Sequence, residues 1–397
     1  MGDILFLAHR VPYPPDRGDK IRGFHILRHL SRQARVHLVA FADDPRDLAA
    51  DAPAWLTGER AVVWRGKPRW RAAIEALAKR QPVSLTAFDD AGVRGAVGDL
   101  LARHPIDTIY VFSGQMAQYL PATVAARVVM DFVDMDSAKF ADYAQASRGP
   151  ARWMMAREAK LLQAFERDTA ARAEASLFVS TAEANLFRSQ TGAMRVQAIE
   201  NGIDTQVFDP AASFTRVEAP GDLIVFTGQM DYRPNIEAVT WFAQVILPQI
   251  RAAHPQTCFA IVGRAPAEAV LALGKLPGVI VTGEVADVRG WLAAARVVVA
   301  PLKLARGIQN KVLEAMAMAR PVVASAAAAE GIDHAGTIRV GADAEAIARE
   351  VGALLADATA ADAIGVAARA QVQRRYSWAA CLAPLDAIVA GETRRAA

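Results

Sequence analysis

The sequence predicts an α/β protein built as two Rossmann-like, doubly wound domains that face a central cleft. Three observations predict it. Short apolar runs without polar alternation recur along the chain, the pattern of strands buried on both faces of a sheet. Amphipathic segments of helical period separate these runs, as expected for parallel strands joined by crossover helices. The alternation breaks once, in NGIDTQVFDPAASFTRVEAPG (201–221), where glycines and prolines occur without periodicity, and then restarts. Residues 1–200 therefore read as one domain, 201–221 as a connection and 222–375 as a second domain, and 397 residues suffice for two cores of ordinary size.

In the first half, strand-like runs fall at 3–9, 35–41, 107–112, 127–132 and 175–180. Helical patterns lie between them at 21–31, 93–103 and 151–173. In the second half the runs are 222–228, 257–263, 279–283, 296–301 and 321–324, with helices over 236–251, 288–294 and 311–319. Three further helical segments, 343–355, 360–374 and 378–390, complete the sequence. In such sheets ligands bind beyond the carboxyl ends of the strands, so the loops that follow the runs are the places to look.

Composition narrows the class. At 53% hydrophobic and 22% charged residues the chain is globular, not disordered. Cys258 and Cys381 are far apart and have no CxxC or histidine spacing, which supports neither a disulfide framework nor a zinc site and fits a reducing compartment. The apolar run at 4–8 is too short for a signal peptide, and no stretch reaches the roughly 18 apolar residues of a membrane span. A cytoplasmic location is expected. The net charge of +3 gives no sign of a nucleic-acid partner. It is uneven, however: residues 1–195 hold 27 Lys and Arg against 22 Asp and Glu, whereas residues 196–397 hold 18 against 20.

Three loops of the second half carry the chemistry. FTGQMDYRPN (226–235), VGRAP (262–266) and LARGIQNK (304–311) each follow a strand. Each combines a glycine, which lets backbone approach a ligand closely, with polar or cationic groups: Gly228, Gln229 and Arg233; Arg264; Arg306, Gly307, Ile308, Gln309, Asn310 and Lys311. The third loop runs directly into a helix, whose N-terminal N–H groups and dipole suit an anion such as a phosphate. Glu314, within that helix, cannot bind phosphate but can accept hydrogen bonds from a ribose diol. A nucleoside diphosphate satisfies both requirements. Taken singly, each glycine reads as a turn and each cation as a solvated charge; the recurrence at one end of one sheet is what carries the inference.

The first half offers two more loops. HRVPYPPDRGDKIRGFH (9–25) places Gly18, Asp19, Lys20, Arg22 and His25 between the first strand and its helix, without the GxGxxG of a dinucleotide site. DFVDMDSAK (131–139) clusters Asp131, Asp134 and Asp136. These read either as an N-cap for a helix from Ser137 or as a weak candidate for a divalent metal.

Together, NGIDTQVFDP, FTGQMDYRPN, VTGEVADVRGWLAAARVVVAPL and GIQNKVLEAMAMARPVVAS resemble glycosyltransferase family 4, of the GT-B fold. With RVPYPPDRGDKIR and DFVDMDSAKF, the sequence looks closest to the sugar transferases of bacterial exopolysaccharide and PEP-CTERM gene clusters. The resemblance implies retaining transfer from a nucleotide sugar to a saccharide or polyprenyl-linked acceptor, without a metal or other cofactor. It implies donor binding by the second domain through Gly228, Gln229, Arg233, Arg264, Arg306 to Lys311 and Glu314, with Gly18 reaching it from the first domain. Asp19, Lys20, Arg22 and His25 would serve the acceptor, and residues 376–397 would form a helix that returns to the first domain. Lys311, Arg233 and Asp134 are the expected catalytic residues. The sequence departs from the family at three places: Arg306 occupies the first position of the family's paired glutamates, Gln229 stands for the arginine of the first phosphate loop, and Asp134 for a histidine. Two rival readings are a sugar-nucleotide epimerase, which lacks a carboxylate–histidine set here, and a non-catalytic nucleotide-sugar-binding or scaffold protein.

Two segments raise a membrane question. In 65–82, Trp70, Ile74 and Leu77 recur at helical spacing among Arg65, Lys67, Arg69, Arg71, Lys79 and Arg80; in 148–163, Trp153, Met154 and Met155 lie among Arg148, Arg152, Arg157 and Lys160. Basic amphipathic helices of this kind suit the surface of an anionic bilayer, here the inner face of the cell membrane. They suit equally well two ordinary helices packed by the same apolar residues.

Overall fold

The computed structural model describes residues 2–16, 18–218, 221–305 and 308–391. It divides into two units, one of residues 1–201 with 381–397 and the other of residues 202–380.

The first unit is a seven-stranded parallel sheet in the order β3-β2-β1-β4-β5-β6-β7. Its strands are β1 (Asp3–Ala8), β2 (Val36–Ala42), β3 (Arg60–Trp64), β4 (Ile106–Phe112), β5 (Arg127–Val133), β6 (Ala175–Phe178) and β7 (Val196–Ala198). The central runs are apolar because helices cover both faces: β1 is buried from Ile4 to Ala8, and β2 throughout. The second unit repeats the plan with β8 (Leu223–Thr227), β9 (Cys258–Val262), β10 (Val279–Gly283), β11 (Val297–Ala300), β12 (Val322–Ser325) and β13 (Arg339–Gly341), all parallel in the order β10-β9-β8-β11-β12-β13. In each sheet the order reverses once, between β1 and β4 and between β8 and β11. Such a switch point opens a crevice at the strands' carboxyl ends.

Strands β3, β7 and β13 lie outside the runs that the sequence singles out. They are three to five residues long. They sit at or next to a sheet edge with partly exposed residues, so no buried apolar run marks them. The expected helix over 236–251 is also interrupted. It runs Arg233–Trp241, opens into a π-helical turn over Phe242–Ile246 and resumes at Leu247–Ala253. Pro248 has no N–H for the carbonyl four residues back, which accounts for the wider turn before it.

A buried polar network ties the first unit together. Arg22 and Asp131, both essentially inaccessible to solvent, pair at 3.0 Å. Asp131 also accepts from the Tyr110 hydroxyl at 2.8 Å and the Val133 amide at 3.1 Å. Arg22 donates further to the Ile199 carbonyl at 2.7 Å and to Asn201 at 3.0 Å. The helix Trp378–Ala390 buries Leu382, Leu385, Ile388 and Val389. Within the first unit its Asp386 accepts from His29 and Gln33, both at 2.5 Å.

Candidate functional site

The reversal of strand order in the second unit lies between β8 and β11, and a cavity of about 490 Å³ opens there. Its walls come from the loops after β8, β9 and β10 and from the start of the helix Asn310–Ala317. The two glycine loops touch backbone to backbone. The Gly228 amide donates to the Val262 carbonyl at 3.0 Å, and a Cβ on Gly263, whose φ is +153°, would stand 1.7 Å from the Gly228 carbonyl oxygen. Only glycine allows this approach, and it leaves backbone rather than side chains on the cavity floor.

Two ionisable groups converge on that floor. The Lys311 ammonium donates to Asn235 Oδ1 at 2.5 Å and sits 4.3 Å above the Phe226 ring. Burial lowers its pKa to about 8, opposed by the Glu314 carboxylate. Burial also raises Glu314 to about 7, opposed in turn by Lys311. Asn235 is held in place by donating to the Gln229 carbonyl at 2.8 Å. Arg264, exposed at the rim, donates to Gln229 Oε1 at 3.2 Å. Gln229 thus braces the cation from the neighbouring loop. The helix Asn310–Ala317 begins without a side-chain cap; the Val312 amide is taken by the Gln309 carbonyl at 2.9 Å, and Gln309, Asn310 and Lys311 at the helix start line the cavity. A desolvated cation, a rim guanidinium and uncapped amides form an anion cradle, and a carboxylate lies one turn deeper.

Of the residues expected at the donor site, Gly228, Gln229, Arg264, Ile308, Gln309, Asn310, Lys311 and Glu314 line this one cavity. Arg306 and Gly307 lie outside the described residues. Gly18 belongs to the first unit, where it starts the helix Gly18–Leu30, and a Cβ there would touch nothing. Arg233 is not among the lining residues either. It opens the helix Arg233–Trp241 with 88% of its side chain exposed and pairs one turn ahead with Glu237 at 2.7 Å. Glu314 is the fifth residue of its helix.

The structure adds lining residues that sequence reasoning passed over. Thr227, the last residue of β8, has a buried hydroxyl with no hydrogen-bond partner among the described residues. Asn235, Tyr232 and Gly263 stand inside the stretches already singled out, whereas Glu284 follows β10, where only a glycine had marked the strand end.

In the first unit, three of the four expected acceptor-side residues, Lys20, Arg22 and His25, are buried. Lys20 is 2% exposed and pairs with Asp47 at 2.6 Å, and Arg22 is consumed by Asp131. Asp19 is bound by Arg10 and by His9 at 3.2 Å; the His9 hydrogen bond and the Arg10 charge hold it well below the usual carboxylate range. His25 is 9% exposed and meets the Phe24 ring edge-on. Arg10 also grips Asp43, whose pKa it lowers. The loop's charges are thus engaged in ion pairs with one another and with Asp43 and Asp47, while His9 Nδ1 is buried with no hydrogen-bond partner among the described residues.

Asp134 is exposed just past β5, behind Val133, which holds a φ of +70° that a β-branched residue rarely adopts. Neither reading of its acidic neighbourhood survives in full. The helix begins at Asp136, not Ser137, and its amides are taken by other carboxylates: Met135 by Glu183 at 2.8 Å and Ser137 by Glu166 at 3.0 Å. Among the described residues Asp131, Asp134 and Asp136 do not gather as metal ligands. The group that does gather is Asp3, His37 and His104, before or near the starts of β1, β2 and β4. There His37 Nδ1 accepts the Glu59 amide at 3.1 Å, so Nε2 carries the proton toward Asp3 at 3.0 Å. That tautomer makes a hydrogen bond and leaves Nε2 no lone pair for a metal.

Comparison with known proteins agrees with this architecture. Residues 221–357 match the family model described as "Glycosyl transferases group 1". No curated protein matches the sequence significantly. Among solved structures, the sucrose-phosphate synthase of Thermosynechococcus elongatus superposes with a TM-score of 0.62 at 18% identity, covering 100% of both chains. Anabaena HepE in complex with UDP and glucose gives 0.58 at 16%, again over 100% of both chains. WaaG, a glycosyltransferase involved in lipopolysaccharide biosynthesis, gives 0.58 at 16%, covering 97% of this chain and 99% of its own. The chain thus has the GT-B fold, and its residues 221–357 are similar to the glycosyl transferases group 1 model.

Proposed function

We propose that the protein is a retaining glycosyltransferase that moves a sugar from a nucleotide-sugar donor to a saccharide or polyprenyl-linked acceptor in bacterial exopolysaccharide synthesis. One observation carries the reading: the desolvated Lys311 ammonium and the Glu314 carboxylate share a cavity floored by the Gly228 and Gly263 backbones at a strand-order reversal. Lys311, Arg264 and the amides at the start of the helix Asn310–Ala317 hold the diphosphate, and Glu314 accepts from the ribose hydroxyls. As the bond from the sugar's anomeric carbon to the phosphate oxygen breaks, the electron pair leaves with the diphosphate, and these donors stabilise the charge. The acceptor hydroxyl bonds to the anomeric carbon on the same face, and its proton passes to the departing phosphate. No metal or other cofactor takes part, because leaving-group charge is met by side chains and a helix end. HepE, solved with UDP-glucose, makes uridine donors the first to try.

The test is a thermal-shift panel of nucleoside diphosphates and their sugars, followed by transfer assays with the donor found. A ligand at 100 times its Kd adds about 2.7 kcal/mol of stability. The expected result is a selective shift, diphosphate release that depends on acceptor, and a product whose anomeric configuration matches the donor. A shift without acceptor-dependent release identifies a binding protein instead, and interconversion of the donor sugar identifies an epimerase.

A further inference from the structure

The helices Arg69–Ala78 and Gly149–Arg172 of the first unit do not bury the apolar residues that give them their amphipathic pattern. Trp70, Ile74 and Leu77 are 67%, 61% and 56% exposed, and Trp153 and Met154 are 60% and 55% exposed. Between the helices lies a cavity of about 410 Å³ whose walls include Leu77, Trp153, Met154 and Phe140. Its polar neighbours are already spent on the fold. Arg157 donates to the Ala76 carbonyl at 2.9 Å and the Gln81 carbonyl at 3.2 Å. Glu158 accepts the Val83 and Ser84 amides, both at 2.8 Å. These bonds lock one helix to the other and leave a largely apolar slot whose unpaired cation, Arg69, stands at its wall.

Cations surround the slot. Arg69, Arg80, Arg148, Arg152 and Lys160 are all exposed and, among the described residues, make no ion pair. Glu75, the acid of the first helix, is taken by Lys67 at 2.9 Å and Arg71 at 3.0 Å. An exposed apolar patch of tryptophan and methionine ringed by unpaired positive charge is complementary to a surface that is hydrocarbon within and anionic at its rim.

We propose that this face docks the protein on an anionic phospholipid bilayer, with Trp70, Ile74, Trp153 and Met154 entering the headgroup boundary and the slot receiving one hydrocarbon chain. The unpaired arginines and Lys160 meet the lipid phosphates. Among the described residues no single helix is long and apolar enough to cross a membrane. This inference does not rest on the donor cavity.

The experiment is flotation of the whole chain with phosphatidylcholine vesicles carrying rising fractions of phosphatidylglycerol, at low and high salt. Binding should rise with the phosphatidylglycerol fraction and fall with salt. Each of Arg148→Gln and Arg152→Gln should weaken it about fivefold. Trp153→Ser and Met154→Ser should weaken binding without lowering the thermal melting point, since both side chains are exposed, and Trp153→Ser should lose part of the vesicle-induced blue shift in tryptophan fluorescence. The donor-site variant Glu314→Gln should float like the unaltered protein, which separates failure here from failure of the transferase reading. Absence of flotation, or flotation indifferent to lipid charge and salt, would overturn the proposal. So would a dimer in sedimentation equilibrium that Trp153→Ser dissociates while vesicles are ignored, because the face would then belong to a second copy of the chain.

Discussion

Glu314 and Lys311 are the residues at which stability and function pull apart. The Glu314 pKa is about 7 in the fold against 4.5 for the free group. The stability it contributes as an acid is therefore fully present below pH 4.5 and lost as pH rises through 7. Glu314→Gln should raise the melting point at pH 8.5, by about 1–3 kcal/mol of stability, and change it little at pH 4. The same variant should bind nucleoside diphosphate more weakly. A variant that melts like the unaltered protein at both values would show that the carboxylate is not strained. Lys311 has the opposite sign: its pKa is lowered to about 8, so the cation that meets the diphosphate is lost as pH rises through 8. Donor affinity, measured by calorimetry, should fall over that range. Lys311→Met should cut it about ten- to a hundred-fold at pH 7, the loss of one charge-assisted contact.

At the scale of elements, the site depends on two loops and one helix held in register. Gly263 faces the Gly228 carbonyl so closely that a single methyl group cannot be inserted. Gly263→Ala should cost about 2–4 kcal/mol in urea denaturation and abolish diphosphate binding, because the loops after β8 and β9 must separate. The helix Gly18–Leu30 is fastened in a different way, through the inaccessible pair Arg22 and Asp131. Arg22→Met leaves the aspartate charge buried alone and should cost about 3–5 kcal/mol. A variant that unfolds like the unaltered protein yet fails only with acceptor would restore Arg22 to the acceptor site. Sequence could not separate these roles, since a cation after a glycine loop looks the same whether it meets a ligand or a buried carboxylate.

For the whole molecule, the chain's end matters to its beginning. Residues 381–397 group with the first unit, and Leu382, Leu385, Ile388 and Val389 are each at most 1% exposed. Full burial of one such side chain is worth about 1.5–3 kcal/mol. Truncation after residue 380 should therefore remove more than the marginal stability of a typical domain and leave the chain insoluble or proteolysed. A truncated chain that stays soluble and cooperative would show that the segment is dispensable. Proposed metal independence is also a property of the whole site: dialysis against a chelator should leave transfer unchanged, and restoration of a lost rate by magnesium or manganese would overturn it.

The sequence by itself determined the α/β class and the parallel sheets, because a strand buried on both faces has to be apolar throughout and its crossover helix has to be amphipathic. It also marked the loops after β8 and β9 and the stretch before the helix Asn310–Ala317, because glycine beside polar groups recurs there at one end of one sheet. Only the tertiary structure decided which charges are free. Lys20, Arg22 and Lys311 look alike as letters, yet the first two are neutralised by carboxylates from distant segments, Asp47 and Asp131, while Lys311 meets an amide and a ring. The same holds for Trp70 and Trp153, whose helical spacing fits a packed face and a bare one equally well. Burial and pairing are set by what the chain brings alongside from far away in sequence, and local pattern carries no record of that partner.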